Sequence, residues 1–197
     1  MRIGVLALQG DFREHRAILH RLGVEAPEIR LPEQLVDLNG LIIPGGESTT
    51  IGKLATAFEM LEPLREFGRS HAVWGTCAGA IFLSKDAKRE QPLMGLMDIQ
   101  VNRNAFGRQV DSFETWLTVP VLEEPERPFR AVFIRAPLIE SVGKGVQVIA
   151  QLPQGEPNLE GAIVGARQER WLATSFHPEL TGDLRFHRYF LSMVEEE

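Results

Sequence analysis

The sequence has one cysteine, Cys77, among its 197 residues, so no intrachain disulfide can form. A disulfide scaffold is excluded, and a reducing, cytoplasmic setting is expected. No apolar stretch approaches the roughly 18 residues that would suggest a bilayer span. Residues 1–8 run directly into a strand pattern without the longer apolar core of a signal peptide, so no membrane association is expected. An excess of positive charge is also missing. Against 27 Asp and Glu stand only 21 Lys and Arg, a formal net charge of −6. That argues against a broad nucleic-acid or anionic-membrane surface and leaves small zwitterionic ligands open. His15, His20, His71 and His187 show no metal-ligand spacing, and the lone cysteine cannot complete a thiolate cluster, so no metal is expected. Repeats and low-complexity segments are absent.

What is present is ordinary for a globular chain, with 44% hydrophobic and 24% charged residues. The length suits one domain over residues 1–197. Residues 3–8 (IGVLAL) read as a strand buried on both faces. Gln9-Gly10 forms a turn, and Asp11 is placed to cap a helix with Glu14 in reciprocal contact. That helix carries His15, Ile18, Leu19 and Leu22 on one face and ends at Gly23. Residues 24–29 suggest a weaker strand, 32–38 a short helix and 41–43 a strand. A helix from Ser48 or Thr49 carries Ile51, Leu54 and Phe58 inward. Pro63 opens a short helix over 64–67, 72–74 is a strand, and a helix runs to about Leu83. This strand–helix alternation predicts a three-layer, doubly wound α/β fold with a mostly parallel, flavodoxin-like sheet. The second half is less regular. Residues 85–90 read as charged surface, 123–130 as a loop, and 96–102, 113–119, 131–134, 146–150, 161–166 and 171–175 as strands. A final helix spans about 183–193, with Phe186, Phe190 and Met193 on one face, before a frayed acidic tail at 195–197.

Three strings fall at carboxyl ends of predicted strands, the usual ligand edge of such a sheet. Cys77 lies in Gly75-Thr-Cys-Ala-Gly79 between strand and helix, the cysteine version of a nucleophile elbow. Small neighbours are needed there because strand and helix approach closely. Alone, an isolated thiol is more often a core residue. Phe176-His177-Pro178-Glu179 follows a late strand. Residues two apart on an extended segment point the same way, so Glu179 can orient the His177 imidazole as a base. The alternative is a strand-end histidine beside a surface charge. Pro44-Gly45-Gly46-Glu47-Ser48 can aim backbone N–H groups at an oxyanion, together with the Ala78 N–H. A phosphate loop competes for this string, but the G-x-x-x-x-G-K-[ST] spacing is missing.

LALQGDFREH ending at His15, PGGESTT at 44–50, GTCAGAI at 75–81, RNAFGRQVDSFE at 103–114, FIRAP at 133–137 and SFHPELTGD at 175–183 cover the chain from end to end. With these strings the sequence resembles the class I (triad) glutamine amidotransferases, and within them the glutaminase subunits of pyridoxal 5′-phosphate synthase. The resemblance implies Cys77, His177 and Glu179 as the catalytic triad. It implies Gly46, Glu47, Ser48, Arg103, Ile134 and Arg135 as substrate-binding residues, with Gly46 donating to the oxyanion. It further implies L-glutamine as substrate, no cofactor, and a separate (β/α)8-barrel synthase subunit as ammonia acceptor in a large hetero-oligomer. The 9–11 segment is a candidate for linking synthase docking to the oxyanion hole. A cysteine hydrolase on the same fold and a non-catalytic binding protein are the competing classes.

Overall fold

A computed structural model describes residues 1–103, 112–154 and 159–196. The first half alternates regularly: β1 (Ile3–Leu6), α1 (Phe12–Arg21), β2 (Glu28–Ile29), a 3₁₀ turn (Pro32–Leu35), β3 (Gly40–Ile43), α2 (Ser48–Ala57), α3 (Leu61–Ser70), β4 (Ala72–Thr76) and α4 (Ala78–Leu83). Then come β5 (Ser84–Asp86), β6 (Met97–Asn102), β7 (Ser112–Leu117), β8 (Phe129–Ile134), β9 (Leu138–Val142), β10 (Gln147–Gln151), β11 (Ile163–Gln168) and β12 (Trp171–Thr174). A 3₁₀ turn (Pro178–Leu180) and α5 (Arg185–Glu195) close the chain.

Ten strands form one sheet, ordered β2-β1-β3-β4-β12-β11-β9-β6-β5, with β10 on β11; β7 and β8 make a separate hairpin. From β2 through β12 every pairing is parallel, as expected. Beyond β12 the pairings are antiparallel except β5 with β6. The sheet is thus mixed, because the late strands are joined by short connections instead of helical crossovers.

Alternation within the strands explains the layers. Ile3, Val5, Ile42 and Trp74 point to one face, where they pack with Leu19 of α1 and Phe186, Phe190 and Met193 of α5. Leu6, Leu41, Ile43 and Val73 point to the other, against Ile51, Leu64, Phe67 and Phe82 of α2, α3 and α4. Strands flanked by helices on both sides must be apolar throughout, and the IGVL and GLII strands are.

Several local expectations needed correction. Phe58 is 49% exposed, because α2 ends at Ala57 and Phe58 is its C-cap. Asp11 makes no side-chain cap to α1 and Glu14 is exposed, so the capping box is absent; the Asp11 carboxylate turns toward His177 instead. The 24–29 strand shrinks to Glu28–Ile29, and the 32–38 helix to a single 3₁₀ turn. Pro63 sits inside the first turn of α3 instead of opening it. Strand β8 begins at Phe129, inside the expected loop, and β9 was not foreseen. Ala87 is buried within the stretch read as charged surface. In the tail, α5 continues through Glu195, and Glu197 lies outside the described residues, as do positions 104–111 of the 103–114 string.

Candidate active site

The parallel strands all point their carboxyl ends to one rim, and β4 and β12 are neighbours there, in register from Trp171 against Val73 to Thr174 against Thr76. Cys77 follows β4 directly. Its φ of 47° lies in the left-handed region, which costs a non-glycine residue of order 1 kcal/mol or more and marks a sharp elbow. Surrounding structure holds the strain. The Cys77 N–H donates to the Thr174 carbonyl at 2.8 Å, and the Cys77 carbonyl accepts from Ala80 at 3.1 Å. The small residues foreseen around the elbow are required: a Cβ on Gly79 would fall on the Ile43 carbonyl oxygen. Cys77 is 6% exposed and still lines a cleft of about 440 Å³.

His177 lies just past β12, its N–H donating to the Val132 carbonyl at 2.8 Å. On one side its imidazole faces the Cys77 side chain, which favours its charged form. On the other, Nδ1 lies 2.7 Å from Glu179 Oε1. The sequence-predicted trio therefore meets, but by a different local path. Glu179 sits in the 3₁₀ turn, not on an extended strand, and the turn curls its carboxylate back to Nδ1. Burial opposes a charged imidazole, yet the hydrogen bonds to Cys77 and Glu179 outweigh it and raise the His177 pKa to about 10. Burial also raises the pKa of Glu179, an effect opposed by the His177 hydrogen bond and charge.

The substrate-side residues line the same cleft: Gly46, Glu47, Ser48, Ala78, Arg103, Ile134 and Arg135. As the first residue of α4, Ala78 has an N–H without an intrahelical acceptor. Gly46 adopts φ 150°, and the Gln9 side chain lies against it, with Gln9 Oε1 accepting from the Glu47 N–H at 2.7 Å. Glu47 N-caps α2 through Thr49 and holds the Arg103 guanidinium at 2.5 Å. Burial works to raise the Glu47 pKa, but hydrogen bonds from Thr49 and the nearby Arg103 bring it below the ordinary value. Among the described residues, the buried Arg103 Nη1 has no hydrogen-bond partner. Arg135 has φ 43° at the end of β8, a second strained position beside the cleft. Four cleft residues escaped assignment as site residues, Gln9, Asp11, Ile81 and Pro137. Asp11 Oδ2 stands 3.6 Å from His177 Nδ1, and its resemblance to an ordinary helix cap concealed it.

Asp11, His177 and Glu179 bring possible ligand atoms within 4.8 Å of one another. Two of those atoms already make the His177–Glu179 hydrogen bond. A cleft of about 510 Å³ lies between Trp116, Arg127 and Asp183, and neither Cys77 nor His177 lines it. Among the described residues no helix is long and apolar enough to cross a membrane.

Comparison with known proteins agrees with this geometry. A crystal structure described as a glutamine amidotransferase superposes with a TM-score of 0.88 at 51% identity, covering 98% of each chain. PurLQS from Thermotoga maritima gives a TM-score of 0.72 over 99% of this chain and 97% of that one; at 16% identity it speaks for the fold alone. The "Pyridoxal 5'-phosphate synthase subunit PdxT" of Herpetosiphon aurantiacus is 57% identical over 98% of this chain and all of that protein. Its namesake in Pelotomaculum thermopropionicum is 58% identical over 97% of this chain and 94% of that protein. The architecture is the three-layer α/β fold of the class I (triad) glutamine amidotransferases. Residues 5–196 match the SNO glutamine amidotransferase family, and the chain belongs to it.

Proposed function

We propose that this protein hydrolyses L-glutamine to L-glutamate and ammonia with Cys77, His177 and Glu179 as its triad, and supplies the ammonia to pyridoxal 5′-phosphate synthesis. As a glutaminase subunit it resembles PdxT proteins along its whole length. One observation supports the assignment of residues: Cys77 shares a cleft with a buried imidazole that Glu179 holds at 2.7 Å.

Cys77 Sγ attacks the side-chain amide carbon of glutamine. The N–H groups of Gly46 and Ala78 receive the oxyanion as the carbonyl becomes tetrahedral. His177, kept protonated with its Nδ1–H on Glu179, donates the proton of its other ring nitrogen to the departing nitrogen and ammonia leaves. The same imidazole then takes a proton from water, which attacks the γ-glutamyl thioester and releases glutamate. Arg103 and Arg135 are the cations available to the substrate α-carboxylate, and the unpartnered Nη1 of Arg103 favours it for that contact. Glu47 is committed to Arg103 and Thr49, so it acts first as the group that aims Arg103. Ser48 is buried beside the cleft and Ile134 flanks its rim. The chemistry requires neither metal nor organic cofactor. The chain acts as one domain, and the acceptor is a separate (β/α)8-barrel synthase subunit in a hetero-oligomer.

The test is glutamine hydrolysis by the full chain, alone and with the synthase subunit, using Cys77→Ala as control. Release of glutamate and ammonia that depends on Cys77 is expected. Activity surviving in the alanine variant would remove the nucleophile assignment, and turnover of peptides or esters in place of glutamine would point to a general cysteine hydrolase.

A further inference from the structure

Behind the triad lies a buried polar chain that the mechanism above does not use. His15 of α1 and His187 of α5 are both fully buried, on the face where α1 and α5 cover β4. His15 Nδ1 lies 3.0 Å from His187 Nε2. His15 Nε2 lies 3.2 Å from Thr76 Oγ1 and 3.3 Å from Glu179 Oε2. Trp74 of β4 stands edge-on to both imidazoles. Glu179 gives Oε1 to His177, while its buried Oε2 has no hydrogen-bond partner in place, and the His15 Nε2 at 3.3 Å is the nitrogen that stands nearest to supply one.

Counting donors selects one proton arrangement. If His15 carried its hydrogen on Nδ1, it would donate to His187 Nε2 and accept at Nε2 from the Thr76 hydroxyl, leaving the buried Glu179 Oε2 beside a lone pair and without any donor. His187 would then bury an Nδ1–H without an acceptor, since that atom has no partner. With the hydrogen on His15 Nε2, His187 Nε2–H donates to His15 Nδ1, and the His15 Nε2–H is available to both Thr76 Oγ1 at 3.2 Å and Glu179 Oε2 at 3.3 Å. Only a bare His187 Nδ1 acceptor is left over, the lesser cost. Both rings stay neutral in this arrangement. Burial first, then the neighbouring His187 and His177 charges, lowers the His15 pKa, and burial lowers that of His187 to about 3.

Resting on the glutaminase reading, we infer that His15 is a positioning residue, whose Nε2–H anchors the second oxygen of Glu179 and keeps that carboxylate ionised and aimed at His177, with His187 fixing the tautomer of His15. The groups facing this carboxylate are His177, His15, the Glu179 backbone N–H and, more distantly, Asp11, while the Thr76 hydroxyl faces His15.

Two measurements test it. In the wild-type full chain, ¹⁵N NMR of the histidine rings should find His15 neutral with its hydrogen on Nε2 between pH 6 and 8. A hydrogen on Nδ1, or a charged ring, would overturn the inference whatever the enzyme does. In steady-state glutaminase assays with the synthase present, His15→Asn reaches only the Nδ1 position, whereas His15→Gln places an N–H near Nε2. His15→Asn should lose about ten-fold or more in kcat at nearly constant KM. The acid limb of its kcat/KM profile should move up by about one pH unit, as Glu179 takes up a proton more readily. His15→Gln should recover most of both. Equal kcat in the two variants, with the acid limb unmoved, would assign His15 to packing alone. His187→Leu leaves His15 in place and should move the same limb in the same direction, less far; no movement there counts against the chain. A wild type unable to hydrolyse glutamine sinks the glutaminase reading and leaves the tautomer result standing.

Discussion

Replacing Gly45 by alanine tests the geometry of the triad from outside it. Gly45 is not among the positive-φ residues, so an alanine meets no backbone strain there, in contrast to Gly46 at φ 150°. The added Cβ would stand 3.0 Å from His177 Nδ1, 3.2 Å from Asp11 Oδ2 and closer still to His177 Cε1. A methyl carbon needs about 3.5–4.0 Å to a ring carbon, so the imidazole must retreat by roughly 1 Å. It cannot do so and keep both partners, because Cys77 and Glu179 hold opposite sides of the ring. A displacement of that size costs on the order of 100-fold in rate. Crowding a packed site costs about 1–3 kcal/mol, which lowers Tm by several degrees in a chain of this size and leaves it folded at assay temperature. Glutamine hydrolysis with the synthase present, normalised to folded protein by circular dichroism, should therefore show kcat down about 100-fold and KM little changed. Wild-type kcat in Gly45→Ala would refute the close approach of the 45–46 turn to the catalytic ring.

Cys77→Ala should abolish hydrolysis while leaving Tm and synthase binding nearly unchanged, checked by ammonia release and by pull-down of the synthase; His177→Asn should be almost as damaging and Glu179→Gln milder. Arg103→Met should raise the KM for glutamine by about 10–100-fold, the worth of a charge-assisted hydrogen bond, with a smaller effect on kcat. Asp183 tests the scaffold. Burial opposes its ionisation, but hydrogen bonds and charge from Arg185 hold its pKa below the ordinary 3.8. A depressed folded-state value contributes stability above pH 3.8 that is lost as pH falls through the folded value. Asp183→Asn should therefore lower Tm at neutral pH and converge with wild type in acid. A constant Tm gap across that range would exclude the linkage.

Much of this was legible in the sequence for definite reasons. The GLII and AVWGT strands are apolar at nearly every position, as strands covered by helices on both faces must be. The elbow announced itself through Gly75 and Gly79, where an added Cβ would run into neighbouring backbone. The second half was harder. Strand β9 (LIESV) carries Glu140 and Ser141 outward at its end, so it lacks the continuous apolar signature, and its partners β6 and β11 are remote in sequence. Asp11 was misread because a local rule for helix capping competed with a contact to His177, 166 positions away, that no local pattern records. His15 looked like one more residue on the buried face of α1. Its polar partners come from β4, α5 and the 178–180 turn, and only folding brings them together.

Strand β12 slots between β4 and β11 and is among the last pieces of the sheet to be made. A nascent chain that ends before residue 171 already contains the thiol but has neither the Thr174 carbonyl that braces the elbow nor the imidazole that serves it. On the proposed triad, copies that stop before residue 171 lack the base and its orienting carboxylate. With those roles, a chain can make ammonia only once its sheet has been completed through β12.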